Sequence, residues 1–224
     1  MRILDLCTGT GCIPLLLYNI LSRRFTNLQI HGVDASSDAI KLAKQNLKHN
    51  ISNGSLSKIA AEQISFEYAN VLQEHSQIVQ HTSFDIVVSN PPYISPAGYV
   101  KNTSRSVRNW EPKLALVPPS PPKEASKNGL TANQEDCFYP HILSIASKVK
   151  AKVVLMETGD IHQAIRVAGM AKRCRKWNDV EIWRDWPDQP DTGHQWQLET
   201  NSDSEGIRIR GQGHGRSVLC WSKE

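Results

Sequence analysis

The sequence predicts an α/β fold with a doubly wound, mostly parallel sheet of seven strands that ends in a C-terminal antiparallel strand. Short apolar runs rich in β-branched residues alternate along the chain with segments whose apolar residues recur at helical spacing. Polar or glycine-rich residues follow several of these runs, and open α/β sheets bind ligands at the carboxyl ends of their strands. The 224 residues, with 39% hydrophobic and 21% charged side chains, are predicted to form one globular domain over residues 1–224.

The first predicted strand, Arg2–Leu6, is followed by a tight glycine turn and by a helix that begins at Ile13. Gly9 and Gly11 permit positive φ and let the backbone approach a ligand closely. A dinucleotide fingerprint needs glycine where Pro14 stands, and no Lys-Ser/Thr pair of a phosphate-gripping loop follows. The turn therefore fits a ligand without a pyrophosphate, and a plain strand–helix turn is the alternative.

The second predicted strand, 28–33, ends at Asp34. A carboxylate at that strand tip is placed to accept two hydrogen bonds from a ribose diol. The alternative is an acid at a helix N-terminus, because Ser36 and Asp38 lead into a segment with helical apolar spacing. The apolar residues of that segment are Ile40, Ala43, Leu47 and Ile51. With the glycine loop upstream, the ribose interpretation is favoured.

A third strand is predicted where Ile64, Phe66 and Tyr68 alternate with polar residues. Asn70 follows the end of this strand. Its carboxamide is a candidate hydrogen-bonding partner for an adenine edge. A simple turn of the chain is an equal alternative.

The fourth predicted strand is the apolar run Ile86–Val88, which is followed by Asn90, two prolines and Tyr93. Pro91 has no N–H and disfavours helical geometry at Asn90, so the strand ends there in an extended turn. The Asn90 side-chain oxygen and the Pro91 carbonyl are two acceptors that fit the hydrogens of an NH₂ group. Tyr93 offers an aromatic face beside that group. A proline-stopped strand with nothing bound is the alternative.

Segment 94–136 is predicted to be a long excursion on the substrate side, because loops of this length in compact domains are usually functional or disordered. Segment 187–215 is polar and glycine-dotted, which predicts a partly disordered linker. The remaining predicted elements are a helix over 136–149, a strand over 152–157, a helix capped by Asp160, and an antiparallel strand pair over 180–186 and 217–221.

The net charge of +4 is too mild to indicate nucleic-acid binding by itself. The five cysteines are odd in number and form no CxxC pair, which predicts free thiols in a reducing compartment. The histidines have no metal-ligand spacing, so no metal is predicted. No apolar run approaches the length that spans a bilayer, so no membrane association is predicted.

In this order, the strand-and-glycine-turn segment, Asp34 and the Asn-Pro-Pro-Tyr segment resemble the class I AdoMet-dependent methyltransferases. More closely, 5–13 and 88–94 resemble the HemK/PrmC group, which methylates the side-chain nitrogen of a glutamine in peptide chain release factors. Glu111-Pro112, Asn128-Gly129-Leu130 and Glu157-Thr158-Gly159 also fall where that group has similar residues. The family usually has aspartate where Asn70 stands. The family also has a helical N-terminal domain that docks the protein substrate, whereas this sequence starts at the first predicted strand; we expect either that it is a piece of a longer chain or that docking is supplied elsewhere.

The resemblance implies AdoMet as the cofactor and assigns residues to two groups. The implied cofactor-binding residues are Asp5, Thr8, Gly9, Thr10, Gly11, Asp34, Asn70 and Asn90. The implied catalytic residues are Asn90, Pro91, Pro92 and Tyr93. Asp34 would hold the ribose, and Asn90 with Pro91 would hold the glutamine amide.

The resemblance predicts methylation of a release-factor glutamine by a monomeric intracellular enzyme of the mitochondrial matrix or cytoplasm. Two alternatives stay open, because the Asn-Pro-Pro-Tyr motif also occurs in enzymes that methylate adenine N6 or guanine N2. One is a nucleic-acid exocyclic-amine methyltransferase. The other is a truncated, non-catalytic AdoMet-binding relic.

Overall fold

The computed structural model describes residues 1–73, 83–120, 133–190 and 207–222. The chain divides into two compact units, the first formed by residues 1–90 and 144–153 and the second by residues 91–143 and 154–224. The prediction of a single domain over residues 1–224 stays a prediction.

The strands are β1 Arg2–Leu6, β2 Gln29–Asp34, β3 Ile64–Tyr68, β4 Ile86–Ser89, β5 Val153–Glu157, β6 Trp177–Trp186, β7 Arg208–Arg210 and β8 Gln212–Ser222. The α-helices are α1 Cys12–Leu21, α2 Ser37–Ser52, α3 Ala60–Gln63, α4 Pro96–Asn102, α5 Arg105–Trp110, α6 Phe138–Lys148 and α7 Ile161–Arg173. Short 3₁₀ helices cover Lys113–Ala115 and Gln134–Asp136.

The first unit contains four parallel strands in the order β3-β2-β1-β4. The register pairs Leu6 at the end of β1 with Val33 on one side and Ser89 on the other. Asp34 pairs with Tyr68 one strand further along. The carboxyl ends of all four strands therefore meet at one edge, which brings the glycine turn, Asp34 and the residues after β3 and β4 to the same edge.

Helix α2 forms where the sequence predicted it, because its start is capped and one face is apolar. The Ser36 hydroxyl accepts a hydrogen bond from the Ala39 N–H at 3.2 Å, which satisfies one of the free donors of the first turn. Ile40, Ala43 and Leu47 are buried. Burial of this face fixes the helix against the first unit and places its N-terminus directly after Asp34.

The second unit contains β5 from Val154 onward together with β6, β7 and β8, and it includes the antiparallel pair β6 and β8. Val180 pairs with Cys220 and Ile182 with Val218, and all four side chains are buried. The antiparallel pair predicted near the C-terminus is thereby confirmed. Strand β7 pairs with β6 in parallel.

The described residues hold eight strands where the sequence predicted seven, and the fold class itself is confirmed. The additional strand is Arg208–Arg210, and β8 begins at Gln212, before the predicted start at 217. The end of the predicted linker 187–215 is therefore strand. Its alternating arginines and its glycines concealed this, because both are typical of loops. Residues 191–206 of that linker lie outside the described residues.

Further boundaries differ from the sequence prediction, and β6 begins at Trp177, before the predicted start at 180. The helix predicted from residue 136 begins at Phe138, after a 3₁₀ turn that contains Asp136. The predicted excursion 94–136 contains α4, α5 and the 3₁₀ helix Lys113–Ala115, while its residues 121–132 lie outside the described part. Among the described residues, no helix has both the length and the apolarity needed to cross a bilayer.

Candidate functional site

The glycine turn after β1 has a left-handed backbone at three positions. Cys7, Gly9 and Gly11 have φ of 62°, 54° and 81°. The turn is held by a hydrogen bond from the Thr8 N–H to the Val33 carbonyl at 2.9 Å and by one from the Gly11 N–H to the Thr8 carbonyl at 3.0 Å. The loop is thus shaped by its own backbone bonds and by β2.

The two glycines of the turn have different surroundings. A Cβ at Gly11 would lie 2.8 Å from the Phe66 ring, so glycine here lets the loop pack against β3. A Cβ at Gly9 would meet nothing within 4 Å, so this part of the backbone faces open space. Gly9 therefore marks the face of the loop that a ligand can approach.

This difference predicts a split between two matched variants. Gly11→Ala combines left-handed strain with a ring clash and is expected to lower the free energy of unfolding by about 2–3 kcal/mol. Gly9→Ala carries only the strain and is expected to cost about 1 kcal/mol while weakening AdoMet binding, because the new methyl occupies the open face. Denaturant unfolding and calorimetric titration with AdoMet measure the two effects. Equal stabilities of the two variants would contradict the assignment.

Asp34 is tied to the glycine turn and to the start of α2. Its Oδ2 accepts a hydrogen bond from the Gly9 N–H and its Oδ1 accepts one from the Ser36 N–H, both at 2.8 Å. The helix-terminus alternative is therefore realised in part. The ribose role stays a prediction, and it remains chemically open because each carboxylate oxygen has a second lone pair.

Asp34→Ala is expected to raise the Kd for AdoMet about tenfold, the scale of lost charge-assisted hydrogen bonds. Asp38→Ala, an exposed aspartate four residues further on in α2, is the matched control and is expected to change the Kd little. The measurement is isothermal calorimetry. An unchanged Kd in Asp34→Ala would remove Asp34 from the binding site.

Asp5 is the most unusual polar residue of the first unit because its carboxyl group is fully buried. Among the described residues, no hydrogen bond of good geometry reaches either oxygen or the buried Thr8 hydroxyl, although that hydroxyl lies close enough to Asp5 to stabilise its carboxylate. Burial, opposed by the nearby Thr8 hydroxyl and supported by the charge of Asp34, raises the pKa of Asp5 to about 7. Unpartnered buried polar groups are rare and indicate a missing partner. A ligand with donors or positive charge would supply it.

Asn70 forms the turn that the sequence offered as one of two alternatives. Its Oδ1 accepts a hydrogen bond from the Leu72 N–H at 2.9 Å, and its backbone carbonyl accepts one from Gln73. This is an Asx turn. The adenine contact stays a prediction, which now rests on the Asn70 Nδ2 donor.

The Asn90–Tyr93 segment begins where β4 ends. The Ser89 hydroxyl donates to the Leu6 carbonyl at 2.8 Å, which anchors the last residue of β4 to β1. Asn90 is exposed, and no hydrogen bond engages its carboxamide within the described ranges. Pro91 and Pro92, the first residues of the second unit, are buried. The Asn90 amide is thus free to bind a ligand.

Tyr93 is held within the second unit and is half-buried. Its hydroxyl donates to Glu157 Oε1 at 3.1 Å, and its ring lies next to Gly159. Burial and the neighbouring Glu157 carboxylate raise the pKa of Tyr93 to about 12. Tyr93 therefore stays a neutral phenol, suited to a wall of a site and unsuited to a base.

Sequence reasoning missed the roles of Gln163, Asp136 and Arg166, which form a polar cluster in the second unit with the Tyr93 carbonyl; Gln163 and Asp136 are buried. One signal was available. Gln163 directly precedes Ala164 on the apolar side of a helix, and a glutamine on such a face needs a hydrogen-bond partner. Among the described residues, no three His, Cys, Asp or Glu side chains converge as metal ligands.

Comparison with solved structures identifies the fold first. The chain aligns over its full length with 54% of a putative class I S-adenosylmethionine-dependent methyltransferase from Listeria monocytogenes, with a TM-score of 0.54 and 12% identity. It aligns over 99% of its length with 63% of the hMettl16 catalytic domain solved with a MAT2A 3'UTR hairpin, with a TM-score of 0.56 and 16% identity. The fold is that of the class I methyltransferases.

The family follows from the sequence comparison. A family model described as "Methyltransferase domain" matches residues 1–178, and the chain belongs to this family.

The curated relatives are consistent with the resemblance read from the motifs. The chain is 35% identical over 172 residues to a protein named probable MRF1 mitochondrial N(5)-glutamine methyltransferase mtq1 from Schizosaccharomyces pombe, covering 73% of this chain and 50% of that one. It is 36% identical over 118 residues to the mitochondrial MRF1 N(5)-glutamine methyltransferase MTQ1 of Saccharomyces cerevisiae, covering 52% of this chain and 33% of the relative. It is 35% identical over 119 residues to a release factor glutamine methyltransferase of Chlorobaculum tepidum, covering 53% and 36% of the two chains. The predicted resemblance to this group is confirmed, and the chain spans half or less of the length of these relatives.

Proposed function

We propose that this chain is the catalytic domain of an AdoMet-dependent methyltransferase that methylates the side-chain amide of a glutamine in a peptide chain release factor. The observation that carries the proposal is the exposed Asn90 carboxamide, followed by Pro91-Pro92-Tyr93, at the carboxyl end of β4. The relatives' names, which refer to glutamine N5-methylation, support the same reading.

The first unit offers a binding surface that fits AdoMet. Gly9 presents an open backbone face on the glycine turn, and the buried carboxyl of Asp5 and hydroxyl of Thr8 lie in the same β1-and-turn segment. In this proposal Thr10 and Gly11 complete the loop around the methionine part. Asp34 accepts the ribose hydroxyls, while Asn70 and Asn90 contact the adenine and the methyl-bearing end. When bound, AdoMet supplies an electrophilic methyl group carried on a sulfonium.

The acceptor nitrogen is an amide, and this determines what the chain must do. Its lone pair is shared with the carbonyl, so it is a poor nucleophile, and full deprotonation is too costly at neutral pH. The Asn90 side-chain oxygen and the Pro91 carbonyl would accept the two NH₂ hydrogens and orient the nitrogen. Neither acceptor has to take a proton. Positioning of this kind can lower a barrier by about 7–11 kcal/mol.

The test uses labelled AdoMet with several acceptors in parallel. Release factor, the same factor with its target glutamine changed to alanine, ribosomal RNA and a short DNA duplex are incubated with the chain. A ribosomal protein is included because one relative, from Francisella tularensis, is named ribosomal protein uL3 glutamine methyltransferase. Label on release factor alone, lost with the target glutamine, is the expected result. Binding of AdoMet without transfer to any acceptor would favour the non-catalytic alternative.

A nucleic-acid amine methyltransferase is the second candidate, and one surface favours it. Trp110 is 87% exposed at the end of α5, and Arg105 and Arg108 lie on the same helix. An exposed aromatic ring among cations is typical of single-stranded nucleic-acid binding. Steep salt dependence of binding, together with label on the RNA or duplex, would favour this candidate.

Location and assembly complete the proposal. Two relatives from yeasts are named as mitochondrial enzymes, which supports an intracellular location in the mitochondrial matrix or the cytoplasm. We propose a monomer. Sedimentation at micromolar concentration tests the assembly, and imaging of the tagged chain tests the location.

A further inference from the structure

The buried carboxamide of Gln163 links three parts of the second unit. Gln163 is only 3% exposed and lies in the first turn of α7. Its Oε1 accepts a hydrogen bond from the Gly159 N–H at 2.7 Å, just after β5. Its Nε2 lies within hydrogen-bonding distance of the Tyr93 carbonyl at 3.3 Å and the Glu135 carbonyl at 3.1 Å. It also reaches Asp136 Oδ1 at 3.0 Å.

The orientation of this amide is fixed by its partners. A backbone N–H faces the Gln163 oxygen and three acceptors face the nitrogen. A reversed amide would place its NH₂ group against the N–H donor and its oxygen against the acceptors. The NH₂ group has two hydrogens for these three acceptors, so one hydrogen is shared. No other uncharged side chain of similar length provides both the acceptor and the two donors.

Arg166 holds the other side of the cluster one helical turn further on. Its Nε and Nη2 donate to the two oxygens of the buried Asp136 carboxylate at 2.5 and 2.9 Å. This bidentate pair fixes the plane of the carboxylate that receives the Gln163 amide. Asp136, held by Arg166, therefore fixes the Gln163 amide group that contacts the Tyr93 carbonyl.

Besides the hydrogen bond from the Tyr93 hydroxyl to Glu157 and the contact of its ring with Gly159, few interactions fix the turn at Tyr93. Pro91 and Pro92 have no N–H, so the turn cannot be closed by backbone donors at those positions. Within the described ranges, the next backbone hydrogen bond along the chain is donated by the Ile94 N–H to the Leu116 carbonyl at 2.9 Å. The hydrogen bond from Gln163 to the Tyr93 carbonyl therefore acts on the end of the segment that carries the acceptor at Pro91.

We propose that Gln163, oriented by Asp136 and Arg166, is a positioning residue that holds the Pro91–Tyr93 turn in the geometry needed to accept the substrate amide, an inference that rests on the function proposed above. It touches neither the substrate nor the cofactor. Its role is to fix the direction of the Pro91 carbonyl and the Tyr93 ring.

The first test separates positioning from general stability. Gln163→Leu removes the donors and the acceptor, and is expected to lower kcat about 100-fold, because a small misplacement of a reacting group has an effect of this size. The Kd for AdoMet is expected to stay within about twofold of wild type, since the change lies outside the proposed cofactor residues. Gln63→Leu is the matched control, because Gln63 also donates to a carbonyl and accepts from a hydroxyl, far along the chain in α3.

The second test uses a variant of nearly equal shape. Gln163→Glu keeps the acceptor for the Gly159 N–H but places a carboxylate against Asp136 and two carbonyl oxygens. Glu135, Asp160 and Arg166 are the other charged groups around it. Protonation restores one donor, so the activity of this variant relative to wild type is expected to rise at least about threefold from pH 8 to pH 6. A purely structural role does not produce that profile.

Hydrogen exchange gives a readout that needs no substrate. In the peptide that contains Tyr93 and Ile94, Gln163→Leu is expected to accelerate exchange about tenfold, and Gln63→Leu is expected to leave it unchanged. The positioning role is overturned if exchange in this peptide is the same in Gln163→Leu as in wild type. It is also overturned if Gln163→Leu lowers kcat and AdoMet affinity together and by no more than Gln63→Leu does. A wild-type chain that methylates no acceptor would refute the proposed function instead, and the exchange result would still test the positioning.

Discussion

Replacing Asn90 with alanine is expected to lower kcat about 1,000-fold while the Kd for AdoMet stays within about threefold of wild type. The exposed carboxamide at the end of β4 supplies one of the two proposed acceptors for the substrate NH₂ group. Its loss leaves the amide free to rotate, so its lone pair is no longer directed. In the proposed function, cofactor binding depends mainly on other residues of the first unit, chiefly Asp5, Gly9 and Asp34. Single-turnover methylation and calorimetry measure the two quantities.

Two further variants sharpen this expectation. Asn178→Ala changes an exposed asparagine of β6 and is expected to leave both kcat and Kd unaltered. Asn90→Asp keeps an oxygen acceptor but adds a charge, and is expected to retain more activity than Asn90→Ala. A loss of AdoMet affinity in Asn90→Ala as large as its loss of kcat would reject the assignment of Asn90 to the substrate side.

Replacing Asp5 with asparagine is expected to change how stability depends on pH. The pKa of Asp5 is raised from its ordinary value of 3.8 to about 7 by burial, so the folded chain keeps the proton after the unfolded chain has lost it. The contribution of Asp5 to the free energy of unfolding therefore falls as pH rises from about 4 to about 7, by about 4 kcal/mol. Asp5→Asn is expected to match wild type at pH 4 and to exceed its stability at pH 8.

Urea unfolding of both proteins over that pH range measures the difference directly. Asp179→Asn, an exposed aspartate in β6, serves as the control and is expected to show no such trend. Parallel curves for wild type and Asp5→Asn across the whole range would contradict the burial argument.

Calorimetry in two buffers of different ionisation enthalpy measures the protons released when AdoMet binds. AdoMet carries positive charge, so its binding at pH 6 is expected to release a proton from Asp5 in wild type and not in Asp5→Asn.

The sequence was most informative where the signal is local. The β-branched run at Ile86–Val88 and the two prolines after it define the end of β4, because both act on the backbone of their immediate neighbours. The same applies to α2, whose serine cap and apolar spacing are read within one short stretch. The glycine turn after β1 belongs to this class as well.

Contacts between residues far apart in the chain could not be predicted from the sequence. Gln163 acts on Tyr93 and Asp136, which are 70 and 27 positions away, so no spacing rule points from one to the other. The dual attachment of Asp34 to Gly9 and Ser36 needed the register of β1 and β2. The burial of Asp5 and the lack of a well-formed hydrogen bond to its carboxyl group follow only from the packed structure.

The attachment of the Gly9 N–H to Asp34 has a kinetic consequence. The loop already has a defined shape through backbone bonds and one carboxylate of the protein itself. In the proposed function, a ligand that binds there meets a loop whose backbone is already shaped by these hydrogen bonds. Diffusional encounter, and not a search among loop conformers, should then govern the association rate. Differences in affinity between cofactor analogues should appear in their dissociation rates.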